Sequence, residues 1–409
     1  MKKYLNYGMI VVAVMAMMTA CSDNDGAEDI QNPEPVPPTP VVTLLTAEEQ
    51  AALPDVNAAQ LEFFEKVYKR AEPGENVICS PLSAQVLLSM LANVTEPESA
   101  AEIYSALGCT DKELLNSLNT KLMDAMKNAS PVTFKPANAL WYDSQYTLSD
   151  AGNDLISGNY APEVFARDFS GGIIGEINKW CAERTENLIT KLFDEGEELK
   201  VFALLNALYF YGPWADEFDV NETLDKDFYG ESGTTSVKLM YNNGYVGVFM
   251  DYEAMLPHGV ELKCKGGQYV VDYILPPEGQ TLDEFISAEK LQKAIAMMGS
   301  DNAVYSIPKM KLTPDRIDLK EALADFGIAK VYDPETIRMF TRPVSLNAIY
   351  QKSAVEIDEK GAKAASVSVG TGLETAPLAM SVVIDRPFVM LIREVSTGTI
   401  LFAGAVRNL

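Results

Sequence analysis

Histidine, which many hydrolases and metalloenzymes use for chemistry, occurs only once in this chain. Its single histidine, His258, lies in a turn-like segment and would have to serve any Ser-His-Asp or Cys-His arrangement. The sequence contains no GxSxG nucleophile elbow and no GxxxxGK[ST] phosphate loop, and one histidine cannot form an HExxH zinc motif. Nothing in the spacing favours a zinc site built from His258 and carboxylates. We therefore expect His258 in a loop, no catalytic residues, no metal or cofactor, and a protein that is not an enzyme.

The most distinctive pattern lies in residues 355–376, VEIDEKGAKAASVSVGTGLETA. Every second residue from 362 to 372 is small, and most of the residues between them are larger. These small residues are Ala362, Ala364, Ser366, Ser368, Gly370 and Gly372. Because successive side chains of a strand point to opposite faces, one face of this segment would be nearly bare. The pattern suits a segment that enters a tightly packed sheet, and the alternative is a flexible loop selected for solubility.

The first 20 residues have the pattern of a secretory signal peptide. Lys2 and Lys3 precede an apolar run over residues 9–18, and small residues lead to Cys21. A cysteine at the cleavage site resembles the lipobox of bacterial lipoproteins, in which Cys21 would be lipidated. The apolar run is short for a spanning helix, which needs about 20 residues. An ordinary signal peptide with a chance cysteine is the alternative.

Residues 21–44 are predicted to form a tether. The acidic stretch SDNDGAED resembles the surface-export signals of Bacteroidetes lipoproteins, and a Pro-rich run that favours extended backbone follows it. This predicts an exported lipoprotein on the outer membrane or cell surface, attached only through a lipid anchor at Cys21. The formal net charge of −25 argues against a nucleic-acid partner, because phosphate binding needs lysine and arginine.

Residues 45–409 contain no second linker and no internal repeat, so we expect one large domain. Four cysteines fall within it, with apolar neighbours and no CxxC pair. They are Cys79, Cys109, Cys181 and Cys264. We expect buried free thiols, although an exported chain could also pair them in disulfides.

Helical patterns dominate the first half of the domain and strand-like runs the second, which predicts an α+β fold with a large antiparallel or mixed sheet. Residues 47–71 are typical of a helix with a break at Pro54, Ser80-Pro81 is a helix start, and residues 173–193 form an amphipathic pattern. Residues 202–210, FALLNALYF, are apolar at both odd-numbered and even-numbered positions, which predicts a central strand buried on both faces.

Five blocks of the chain, in order, resemble the serpin family from about residue 50 to residue 409. They are 76–91 with Ser80 and Ser83, 177–193 with Asn178, Trp180 and Thr185, 204–218 with Asn206 and Trp214, 307–328 with Pro308, Lys309, Leu319, Leu323 and Gly327, and 382–408 with Asp385, Pro387, Phe388, Gly398, Phe402 and Gly404. The resemblance implies a serpin fold with three β-sheets, eight or nine helices and an exposed reactive-centre loop at about 361–383.

The resemblance also assigns the start of that loop. Glu359 and Gly361 match the hinge, where a glycine supplies backbone freedom, and the residues after it in inhibitory serpins are small. Ala362, Ala364 and Ala365 fit this rule. Lys363 stands where a glutamate is usual, but it is one of the alternate residues that would face away from the packed side of the sheet.

The function implied is irreversible inhibition of a serine protease, which forms a covalent acyl complex with the loop before the loop inserts into the main sheet. Counting from Gly361 places the reactive bond at Thr375–Ala376, whereas counting back from Pro387 gives Ala376–Pro377. Leu373 and Leu378 are further candidates. A small residue before the bond predicts an elastase-like target, with a cysteine protease as another possibility. The expected state is a monomer, and the alternative function is a non-inhibitory serpin that acts as a surface binding or carrier protein.

Two residue groups are expected to control the opening of that sheet. The resemblance predicts an ion pair between Glu359 and Lys309 close to Trp214, and a hydrogen-bonded cluster of Ser80, Ser83 and Asn206. Gln351 occupies the position of a frequent family histidine, and an amide does not change charge near neutral pH. The alternatives are that Ser80 only caps a helix and that Gln351 is an ordinary polar strand residue.

Overall fold

A computed structural model of the protein describes residues 39–251, 256–361 and 380–409. Within these ranges it contains nine α-helices, in agreement with the expected eight or nine. They are α1 Ala47–Arg70, α2 Pro81–Ala92, α3 Pro97–Ala106, α4 Lys112–Lys127, α5 Asp150–Ser157, α6 Ile174–Arg184, α7 Leu282–Phe285, α8 Ala288–Ala296 and α9 Lys320–Asp325. None of the helices described is long and apolar enough to cross a lipid bilayer.

The same ranges contain sixteen strands. They are β1 Val77–Cys79, β2 Thr133–Asp143, β3 Glu163–Arg167, β4 Phe202–Tyr211, β5 Leu224–Gly230, β6 Gly233–Asp251, β7 Leu256–Lys263, β8 Tyr269–Ile274, β9 Met298–Pro308, β10 Met310–Leu312, β11 Ile317–Asp318, β12 Tyr350–Gln351, β13 Val355–Ile357, β14 Met380–Val383, β15 Phe388–Glu394 and β16 Ile400–Val406. The end expected for the reactive loop, residue 383, therefore falls inside β14.

Among the described residues, the strands pair into one nine-stranded sheet and three smaller groups, which are here together called the second sheet. Nine strands join in the order β1-β16-β15-β8-β7-β6-β9-β14, with β5 on β6. The 19-residue strand β6 continues from its pairing with β5 to its pairing with β7, so two regions of sheet share one strand. The second sheet consists of β3-β2-β4 and, apart from it, the pairs β10-β13 and β11-β12.

Two apolar cores hold these layers together. The larger contains buried side chains of α1, α2 and the nine-stranded sheet, together with the inner face of β4. The smaller lies between α6 and the other face of β2 and β4, and includes Trp141, Ile177, Trp180 and Leu205. Helix α6 therefore covers the outside of the second sheet, and α2 lies beneath it.

Two helix predictions need correction. Helix α1 continues through Pro54 without the predicted break, and its buried apolar residues run from Leu53 to Val67 on both sides of the proline, so packing outweighs the lost hydrogen bond. The helix predicted over residues 173–193 ends at Arg184. The chain leaves it at Glu186 and Asn187, whose φ values of 50° and 62° lie in the left-handed region that a right-handed helix excludes.

The expectation for His258 is also corrected. His258 does not lie in a loop but in β7, where it is 3% exposed and its ring lies 6.1 Å from that of Phe249. The short 3-10 helix Val41–Leu44 falls at the end of the expected tether, yet Val41 is buried in the larger core.

The cysteine prediction is confirmed for the described residues, since all four thiols are free and buried.

Strand β4 differs from its prediction in an informative way. Its residues from Ala207 to Phe210 are buried in succession, as expected for a strand covered on both faces, but it pairs only with β2. Its other edge carries no partner among the described residues.

Candidate functional site

Trp214, Lys309, Glu359 and Gly361, here called the hinge cluster, meet beyond the end of β13. The Lys309 ammonium lies 2.7 Å from a carboxylate oxygen of Glu359, as the resemblance predicts. Trp214 is buried beside them, and its indole N–H donates to the carbonyl of Asp358 at 2.9 Å. The ion pair and the indole therefore hold the same turn of chain.

Backbone hydrogen bonds attach this turn to the segment that follows β4. The N–H of Trp214 donates to the carbonyl of Lys360 at 3.1 Å, and that of Phe218 donates to the carbonyl of Glu359 at 2.8 Å. Pro213 and Gly361 form an antiparallel bridge. Residues 359–361 are thus fixed by main-chain contacts as well as by side chains.

The position of Gly361 accepts only glycine. Its φ of 140° lies in a region that residues with a side chain rarely adopt. A Cβ at this position would lie 2.5 Å from the carbonyl oxygen of Gly212 and 2.5 Å from the Cα of Pro213. The glycine therefore permits the close approach of two backbone segments where the loop is expected to begin.

Glu359 is held in its charged form. Burial alone would raise the pKa of its carboxyl group, but hydrogen bonds, the largest of them from Lys309, and the nearby positive charge outweigh burial and lower the pKa from its usual 4.5. The side chain of Glu359 is 10% exposed and that of Lys309 is 45% exposed. Loss of the lysine would leave a largely buried carboxylate without its cation.

Ser80, Ser83, Asn206 and Gln351, here called the central cluster, lie where α2 begins beneath the second sheet. The Gln351 amide accepts a hydrogen bond from the N–H of Ser80 at 3.1 Å and donates to its carbonyl at 2.9 Å. The Ser80 hydroxyl donates to the carbonyl of Leu401 and accepts from the N–H of Ser83. Ser80 therefore both caps α2 and binds β12 and β16.

The rest of the cluster crosses β4 and β2. The Ser83 hydroxyl donates to the side-chain oxygen of Asn206, whose amide nitrogen donates to the side-chain oxygen of Asn138 at 2.7 Å. Asn138 in turn donates to the carbonyl of Tyr160 at 3.3 Å. The sequence analysis did not single out Asn138, although an asparagine in a strand that is otherwise largely apolar is a usable signal.

A gap separates β4 from β12 and β13. No backbone pairing joins β4 to either strand in the part of the chain that the structure describes. Residues 208–210 of β4 and residues 354–356 line a cavity of about 20 Å³, and residues 201–205 and 345–350 line a larger one of about 180 Å³. The hinge cluster lies at one end of this gap, and the central cluster lies beneath it.

The structure therefore brings together the residues predicted around the sheet. The reactive bond of Thr375 and Ala376, the loop residues Ala362, Ala364 and Ala365, and Cys21 lie outside the described residues. Among the residues described, no group of His, Cys, Asp and Glu side chains could hold a metal ion. Within the described part of the chain, the geometry offers a strand edge without a backbone partner and two hydrogen-bonded clusters beside it.

Comparisons with known proteins agree with this arrangement. The family model described as "Serpin (serine protease inhibitor)" matches residues 55–409. A serine protease inhibitor of Cyanea capillata is 27% identical over 352 residues, covering 82% of this chain and 92% of that protein. The native-state crystal structure of tengpin, a thermophilic serpin, is 23% identical with a TM-score of 0.76, covering 87% of this chain and 94% of that one.

A further similar structure is human thyroxine-binding globulin, solved in complex with thyroxine. It is 25% identical with a TM-score of 0.76, and the match covers 87% of this chain and 99% of that one. The family-model match spans nearly all of the folded chain, and the sheets and helices have the architecture that these relatives share. On these grounds the chain belongs to the serpin family, whose members are generally inhibitors of serine proteases rather than catalysts.

Proposed function

We propose that this protein is an irreversible suicide-substrate inhibitor of serine proteases. The observation that carries the proposal is that, among the described residues, the edge of β4 that faces β12 and β13 across the gap has no backbone partner. A strand that entered there would pair on both sides and join the separate parts of the second sheet into one. The hinge cluster, where we propose that the loop begins, lies at one end of that gap.

The chemistry begins as ordinary proteolysis. The serine hydroxyl of the protease attacks the carbonyl carbon of Thr375, the bond to the nitrogen of Ala376 breaks, and the new amino group leaves with a proton. The product is an ester between the protease serine and Thr375. Water would normally hydrolyse this ester, and inhibition requires that the loop insert first.

Insertion then moves the protease. The loop from Gly361 to Thr375 spans about 50 Å at about 3.3 Å per residue, which carries the attached enzyme to the far end of the gap. Distortion of the enzyme's active site against the inhibitor would stop hydrolysis there. The small residues from Ala362 to Gly372 support this proposal, because a face that packs in the sheet cannot hold bulky side chains.

We propose an elastase-like target, because threonine or alanine before the reactive bond suits a small apolar specificity pocket. Thr375–Ala376 is preferred to Ala376–Pro377, since a proline after the bond is poorly accepted by serine proteases. We also propose export as a lipoprotein anchored at Cys21 on the cell surface, on the basis of the signal-like N-terminus.

The test is incubation of the full chain with an elastase-type serine protease. We expect a complex that survives SDS and a released fragment that begins at Ala376, identified by mass spectrometry. Clean cleavage with continued protease turnover would overturn the proposal. A fragment with another first residue would correct the reactive bond and would leave the mechanism supported.

The likeness to thyroxine-binding globulin supports a second candidate, a non-inhibitory binding or carrier protein. The two candidates differ in what loop cleavage does to stability. An inhibitor should melt at a much higher temperature after its loop is cut, because the inserted strand completes the sheet. A carrier that inserts no strand should melt at nearly the same temperature before and after cleavage.

A further inference from the structure

A segment whose first half the sequence analysis assigned to a helix connects the two sides of the gap. Residues 186–200, here called the crossing segment, leave the end of α6 and lead back into β4. The smaller core places α6 on β2 and β4, so this segment begins and ends on one side of the gap. Its side chains and carbonyls also bind the other side.

Asn178 of α6 fixes the first attachment. Its side-chain oxygen accepts hydrogen bonds from the N–H groups of Leu192 and Phe193 at 2.8 and 3.0 Å, and its amide nitrogen donates to the carbonyl of Phe193 at 2.8 Å. Three hydrogen bonds from one side chain hold the middle of the crossing segment to the helix.

Arg316 fixes the second attachment. It immediately precedes β11, and its guanidinium donates to both carboxylate oxygens of Glu197 at 3.0 and 3.1 Å and to the carbonyl of Leu192 at 3.1 Å. Such paired charged hydrogen bonds are among the strongest that side chains form. One arginine therefore binds the crossing segment at two separate points.

Aromatic contacts complete this attachment. The guanidinium carbon of Arg316 lies 4.0 Å from the ring centre of Tyr350 in β12, within cation–π distance. The ring of Phe193 meets that of Tyr350 edge-on, with centres 5.9 Å apart. The side chain of Arg316 is mostly buried between them. The crossing segment is thus joined to β11 and β12 by an ion pair, a carbonyl contact and two rings.

These contacts lie over the end of the gap that is farther from the hinge cluster, here called its lower part. The cavity of about 180 Å³ is lined by Phe193 and Glu197 of the crossing segment, by β4 and residues 345–350, and by Leu87 and Leu91 of α2. A strand that passed the central cluster would next reach this cavity. The gap could not widen there while Arg316 still bound both Glu197 and the ring of Tyr350.

We propose that Arg316 is a positioning residue that sets the rate at which a strand enters the lower half of the second sheet. The inference rests on the proposed function and adds to it, since it names a residue far from the hinge that controls the competition between insertion and ester hydrolysis. Release of Arg316 from Glu197 and Leu192 frees the crossing segment, while Asn178 still holds it to α6.

The experiment uses the full chain and a synthetic acetylated peptide with the sequence of residues 362–375, AKAASVSVGTGLET. Uptake of the peptide is followed by native gel shift and by the rise in melting temperature. The variants are Arg316→Ala and Arg316→Lys, because lysine keeps the charge but cannot bind both carboxylate oxygens in parallel. Arg70→Ala is the matched control, since Arg70 makes a two-point pair with Asp325 between α1 and α9.

We expect peptide uptake to be about tenfold faster in Arg316→Ala than in Arg70→Ala, with Arg316→Lys between that variant and the wild type. Equal rates in the two alanine variants would overturn the role of Arg316, as would a rate in Arg316→Lys equal to that of the wild type. A wild type that takes up no peptide and gains no stability on loop cleavage would instead overturn the proposed function itself.

Discussion

The side-chain amide of Gln351 binds both backbone groups of one residue, Ser80, through hydrogen bonds of 3.1 and 2.9 Å. These two hydrogen bonds link β12, on one side of the gap, to Ser80, the N-cap residue of α2. On the other side, Ser83 of the same helix binds Asn206 in β4. The N-terminal end of α2 therefore holds both edges of the gap at once.

Gln351→Ala should weaken the native fold. It leaves the buried N–H of Ser80 without a partner, which costs about 1–3 kcal/mol, whereas the Ser80 carbonyl keeps its helical bond to Ala84. Urea unfolding of the uncleaved protein measures the change. Gln280→Ala, at an exposed position, is the control and should leave stability unchanged. Equal midpoints for the two variants would contradict the importance of the Gln351 pair.

Lys309→Ala should destabilise the protein at neutral pH and have little effect in acid. The folded state lowers the pKa of Glu359, so its carboxylate stabilises the fold above the usual pKa of 4.5, and this contribution is lost as the pH falls through the lowered value. The difference in unfolding free energy between wild type and variant should therefore shrink below about pH 4.5.

Urea unfolding at a series of pH values tests this prediction. Lys311→Ala is the control, because Lys311 makes a more exposed pair with Glu356 on the neighbouring strands β10 and β13. Exposed pairs contribute about 0–1 kcal/mol, so its loss should be small at every pH. A Lys309→Ala deficit that stayed constant down to pH 3 would show that the lysine acts through packing and not through Glu359.

Gly361→Ala should disturb the start of the loop. The new Cβ would collide with the backbone of Gly212 and Pro213, and the positive φ adds strain of about 1–3 kcal/mol. We expect a lower urea midpoint and faster proteolytic cutting near the hinge. Gly299→Ala is the control, since open space surrounds that strand position at an ordinary φ. Identical behaviour of the two variants would refute the close approach at Gly361.

The helical half of the fold and the pairings at the hinge could be anticipated because their signals are local or carried by whole blocks of sequence. The Lys309–Glu359 pair joins one such block, 307–328, to the residues matched to the hinge. The end of α6 could not be anticipated, because the apolar spacing continues to Phe193. Those apolar residues pack in the smaller core after the backbone has left the helix at Glu186. The spacing of apolar residues shows which side chains are buried, and here the buried residues continue beyond the end of the helix.

The contacts across the gap could not be predicted from the sequence, for a different reason. Arg316 and Glu197 are separated by more than a hundred residues, and each occurs in a polar stretch typical of a solvated surface. Only the return of the chain over the sheet places them together, with Tyr350 as the third partner. The partner of Asn206 was missed similarly, because Asn138 stands out in its strand but only strand register puts it directly opposite Asn206.

The last prediction concerns inhibition itself and rests on the alternation of small residues after the hinge. Ala364 lies on the small parity and Ala365 on the other, so Ala364→Leu and Ala365→Leu make the same change on opposite faces of the inserting strand. A leucine forced into a close-packed sheet costs about 1–3 kcal/mol, and each 1.4 kcal/mol on the barrier slows insertion about tenfold. Ala364→Leu should therefore lose the competition with ester hydrolysis, so that more inhibitor is cleaved for each protease trapped. Titration of an elastase-type protease measures that ratio, and an equal rise in both variants would show that the parity of this segment has no part in insertion.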